Sequence, residues 1–107
     1  MTTMSNDINA GWTVLPDGRL QIDKDPDPSL RYGRDVAGLL ADGDSISSVS
    51  IAAQSGVTAI QAGHTGTVVH CRVQGGTAGT TGEVTLQWVT SQGDTDQRTM
   101  VFRLVDR

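Results

Sequence analysis

The clearest apolar patterns in this chain repeat every second residue. Val84, Leu86 and Trp88 share one parity, as do Val69, Cys71 and Val73, and Met100, Phe102 and Leu104. Alternation sends successive side chains to opposite faces of a pleated strand, so each such strand must bury one face against a second layer. An all-β fold follows. At 107 residues there is enough chain for one sandwich core and not for two. Thirteen glycines and only three prolines fit short strands joined by tight turns.

Residues 1–11 are polar and aperiodic, the mark of an unanchored terminus. Trp12 to Leu15 and Leu20 to Ile22 flank Pro16-Asp17-Gly18-Arg19, where proline suits the second position of a turn and glycine the left-handed position after it. A small hairpin is expected. Asp23-Lys24-Asp25-Pro26-Asp27-Pro28 then interrupts regular structure, because proline lacks an amide donor and pushes its predecessor towards extended backbone. The expected organisation is an N-terminal arm over 1–29, with hairpin and acidic linker, and a β-sandwich over 30–107.

Within that sandwich, Leu30 to Tyr32 opens a first strand and Val36 to Leu40 forms a short helical turn or an irregular crossing ended by Asp42-Gly43. Ile46, Val49 and Ile51 anchor the next strand; 46 and 49 differ in parity, which a bulge would reconcile. Val57 to Ile60 is a further short piece. Thr67 to Val73 and Val84 to Val89 are the clearest strands, and the glycine-dense stretch Gly75 to Gly82 is expected to join them as an antiparallel pair. Ser91 to Asp96 supplies a last turn before the strand from Met100. Six to seven strands at this spacing make a sandwich.

Twelve acids against eight bases leave a net charge of −4, which offers no cationic field for nucleic acid. The single cysteine, Cys71, excludes an internal disulfide and reads as a small core residue. His64 and His70 lack the further ligands a metal site requires, and His70 falls on the outer face of its strand with Val68 and Arg72. Asp23, Asp25 and Asp27 alternate like the start of a calcium loop, but Pro28 and Arg34 stand where that loop needs glycine and glutamate. Asp94 and Asp96 are ordinary hairpin residues. No catalytic constellation, cofactor site or metal site is expected. The first ten residues lack the basic and apolar parts of a secretory signal, and no apolar run approaches the ~20 residues of a membrane helix. A soluble chain made in the cytoplasm and not exported is expected, with no membrane partner.

Several short motifs then occur in order: Lys24-Asp25-Pro26-Asp27, Leu30-x-Tyr32-x-x-Asp35, Gly43-Asp44-Ser45-Ile46, Gly75-Gly76-Thr77-Ala78-Gly79-Thr80 and Gly93-x-Thr95-Asp96-x-Arg98. Together they resemble the phage fibre-tail adaptor family over residues 24–107. The resemblance implies an immunoglobulin-like fold, a structural role in a tailed-phage virion, no catalytic residues, and contacts with tail, neck or fibre proteins in multiple copies of a symmetric assembly. Head decoration, with capsid partners, is the alternative within virion structure. A host-surface or carbohydrate-binding module is the alternative of another class, and would need an exposed aromatic cluster or calcium site.

Excess charge concentrates at the front of the chain. Five Asp against Arg19 and Lys24 give −3 over residues 1–29, and seven acids against six bases give −1 over the rest. An isolated hairpin is marginal in water, so Trp12, Val14, Leu15, Leu20 and Ile22 need another surface. The candidate partner-binding residues are these five together with Asp25 and Asp27, with Trp12 as anchor and the acids setting orientation. Alternatively the hairpin folds back over an edge of its own sandwich.

Overall fold

In chain order the elements are β1 (Thr13–Val14), β2 (Leu20–Lys24), β3 (Leu30–Asp35), a 3-10 turn (Ala37–Leu39), β4 (Ile46–Ser55), β5 (Thr58–Thr65), β6 (Val68–Gln74), β7 (Thr81–Thr90) and β8 (Thr95–Leu104). They come from a computed structural model that describes residues 11–26 and 29–105. Two sheets pack as a sandwich: five strands in the order β1-β2-β8-β7-β4, and three in the order β3-β6-β5. All pairings are antiparallel except that of β2 with β8.

Parity in the sequence decides what each strand buries. Val84, Leu86 and Trp88 of β7, Met100, Phe102 and Leu104 of β8, and Val69, Cys71 and Val73 of β6 are all essentially inaccessible and form one core. Burial pushes the Cys71 thiol up to about 12, so it stays protonated and serves as packing. Along β4 the register with β7 shifts between Ile46 and Ser48 and again between Ile51 and Ala53. The first shift is the bulge that the parity of Ile46 and Val49 called for; it lets both side chains turn inward.

The front of the chain follows the alternative in which the hairpin folds back over its own sandwich, and the separate arm is corrected. Residues 12–24 are not an arm outside the sandwich but part of its larger sheet. Leu20, Gln21, Ile22, Asp23 and Lys24 pair in parallel with Met100, Val101, Phe102, Arg103 and Leu104. Leu20 and Ile22 thereby enter the core, where each buried side chain is worth about 1.5–3 kcal/mol. Trp12 is 9% exposed and meets Tyr32 and Phe102 edge-on, with centroids 6.3 and 6.1 Å away. Pro16 sits in the turn and Pro26 follows the end of β2, so neither interrupts the strand.

The glycine-dense connection also differs from expectation. β6 and β7 are not neighbours; they lie in different sheets, and the loop between them crosses from one layer to the other. It is tied to the end of β8, with the amide of Gly79 donating to the Leu104 carbonyl (2.8 Å) and that of Leu104 to the Thr80 carbonyl (2.9 Å).

Candidate interaction surface

Several of the motif residues are structural fastenings. Tyr32 completes the aromatic cluster, 4.9 Å from Phe102 between centroids. Asp35 accepts hydrogen bonds from the Ala37 amide (2.9 Å) and the Thr67 hydroxyl (2.7 Å), which holds the 3-10 turn against the start of β6. Asp44 Oδ1 accepts from the Ser45 amide, the Ser91 hydroxyl and the Gln92 amide, clasping the entry to β4 onto the β7–β8 turn. These bonds, the one from Ser91 foremost, hold its carboxyl below the usual range. Lys24 is buried and its Nζ donates to the Asp25 carbonyl (2.7 Å).

Ion pairs gather on the side of the sandwich that holds β2 and β8. Arg19 bridges Asp17 (2.8 Å) and Glu83 (3.0 Å), and Arg103 makes a two-point contact with Asp23 (2.8 and 2.9 Å). Arg98 pairs with Asp96 at 2.7 Å. The Arg19 amide chiefly, with its guanidinium, depresses the Asp17 carboxyl, while Asp17 and then Glu83 raise Arg19; Asp23 raises Arg103. An open groove at one end, lined by Asp17, Arg19, Arg34, Gln97 and Arg98, holds both signs of charge.

The histidines are local. His64 Nδ1 donates to the Gly66 carbonyl (3.2 Å), and His70 Nε2 lies 3.3 Å from the Thr65 hydroxyl. Partial burial, then the neighbouring Arg31 and His64, lowers the pKa of His70. Among the described residues no group of three or more His, Cys, Asp or Glu converges on a metal position, and no helix is long and apolar enough to cross a membrane.

The expected contact residues separate into two sets. Trp12, Leu20 and Ile22 are core and unavailable to a neighbour, a correction that follows from the pairing of β2 with β8. Val14 is 68% exposed at the β1 edge, and Leu15 and Asp25 are half-buried. Asp27 lies outside the described residues.

The opposite side of the molecule carries a surface that the motifs and apolar patterns do not mark. From Ser45 to Cys71 the sequence has no Asp, Glu, Lys or Arg. That run supplies β4, the edge of the five-stranded sheet, and β5, an edge of the three-stranded one. The chain passes from one to the other through Gly56 and Val57, and the two strands lie against each other. Ser48, Ser50, Ala53 and Ser55, opposite Val89, Gln87, Thr85 and Glu83, are exposed on the outer face of β4, and Ile60 is exposed on β5. The signal was available as a gap in the charge pattern.

A protein-family model described as podophage GP4 fiber-tail adaptor protein gp77 matches residues 24–103. A search of curated proteins finds no match.

Proposed function

This chain belongs to the podophage GP4 fiber-tail adaptor family, and we propose that it acts in the virion as a non-catalytic coupling piece that holds tail and fibre components together by protein-protein contact. One observation carries the reading beyond the family. The five-stranded sheet ends in two unlike edges, β1 with exposed Val14 on one side and charge-free β4 on the other. Strands spaced about 4.8 Å apart put those edges about 19 Å apart, far enough to engage two neighbours at once. A rigid block with two contact sides is what coupling requires; no bond need be made or broken. The chain occupies repeated positions in a symmetric tail assembly, reached after synthesis in the host cytoplasm.

Removal of the gene from the phage, with and without complementation, tests the reading. Particles made without the chain are expected to have filled heads and to lack fibres, and complementation restores the fibres. Fibres attached at normal number in its absence overturn the proposal.

A further inference from the structure

Edge strands present unpaired amides and carbonyls, and folded proteins ordinarily guard them with charged side chains, shortness or bulges. β1 is guarded by length, having two residues. β3 carries Arg31, Arg34 and Asp35. β4 has ten residues, all uncharged, and continues without a charge into eight-residue β5. Two bulges twist β4, but the stretch from Ser48 to Ile51 keeps regular register with β7, and among the described residues no strand pairs with its other side.

We infer that this side binds a second copy of the chain, β4 pairing antiparallel with β4 across a two-fold axis. The inference rests on the proposed function only in treating that side as a contact surface. Charge selects the occupant. At a two-fold contact a patch meets itself, so any ionised group near the axis faces its own sign. A strand without ionised groups escapes that repulsion, and β5 in the second layer carries His64 as its one ionisable side chain. The outward side chains of β4 are small, Ser48, Ser50, Ala53 and Ser55, and let the backbones approach.

Size is consistent with a weak pair. The regular stretch from Ser48 to Ile51 spans about 13 Å, and two layers give a depth of about 15 Å; the contact then covers about 400 Å² over both partners, the size of a transient association. The five-stranded sheet would continue through the axis as β1-β2-β8-β7-β4 followed by the same strands reversed.

The test is light scattering of the purified full chain over a wide concentration range. The unaltered protein is expected to pass from one chain mass to two. Ser50→Lys sets like charges against each other across the axis and is expected to weaken the pair by about tenfold or more. Thr13→Lys, on the far edge, leaves it unchanged. Ser48→Lys replaces Ser50→Lys if the latter loses its β circular dichroism. A single-chain mass at millimolar concentration, a ring of more than two chains, or a pair indifferent to lysine in β4 overturns the inference. Fibre attachment is read separately in particles: a chain that stays single yet attaches fibres removes the pairing and leaves the adaptor reading intact.

Discussion

The two sides of this sandwich solve the same problem by opposite means. On the β2–β8 side, polar side chains close on one another: Arg19 with Asp17 and Glu83, and Arg103 with Asp23. On the β4–β5 side no Asp, Glu, Lys or Arg occurs between Asp44 and Arg72. Exposed ion pairs add little stability, so the difference between the sides concerns specificity more than energy. A charged side admits only a neighbour of matching charge; an uncharged edge admits a strand. The charge pattern therefore distinguishes the two sides by the kind of neighbour each can take.

The largest test of this comparison concerns whether the ion-paired side belongs to the domain at all. Removal of residues 1–23 takes away Trp12 and all of β2 except Lys24, and strips the cover from β8 at Met100 and Phe102. Loss of cooperative unfolding in a urea titration is expected; a folded, monodisperse remainder would return those residues to the status of an arm. Next in size, Trp88→Ala should cost about 3–5 kcal/mol, since a wholly buried indole leaves a large void. Denaturation at an unchanged midpoint would mean that β7 presents its other face to the core.

A smaller effect sharpens the uncharged side. Gly56 turns the chain from β4 to β5 with φ +72°, and a Cβ there would stand 2.8 Å from the Thr81 carbonyl oxygen. Gly56→Ala is expected to destabilise by about 1–3 kcal/mol, from strain and overlap together. Thermal unfolding with no loss would show that the corner is loose and that β4 and β5 do not form a fixed two-layer edge.

The smallest is a pH effect at His70. Its folded pKa lies below the ordinary 6.5 because of partial burial and the nearby Arg31 and His64. The unfolded chain then takes up a proton more readily, so this contribution to stability is complete above about pH 6.5 and is lost as pH falls through the folded value. The melting temperature should drop modestly between about pH 7 and about pH 5, and less in His70→Gln. Equal drops in both proteins would remove His70 as the cause.

What was legible in the sequence divides along the same line. Strand parity, the buried faces of β6, β7 and β8, the bulge in β4 and the 3-10 turn after Asp35 all depend on near neighbours in the chain, and they read off directly. The pairing of Ile22 with Phe102 joins residues from opposite ends of the chain, and no local period records it. Trp12 departs from expectation for that reason: an exposed hairpin and a strand docked on a distant partner share one pattern of alternation. The crossing of Gly75 to Thr80 between layers was hidden likewise, since a glycine-rich stretch between two strands has the same composition whether it links neighbours or changes sheets. The charge-free run from Ser45 to Cys71 was in plain view, but apolar periodicity draws attention to what is buried and away from what an edge leaves bare.

A residue-level reconstruction of the virion tail tests the central claim most directly, because it shows which sides of the chain are covered. The account expects another polypeptide against β4 and β5, with the ion pairs Arg19–Glu83 and Arg103–Asp23 left as they are in the isolated chain. A β4 edge bare to solvent in the particle, with contacts confined to the ion-paired side, would contradict it.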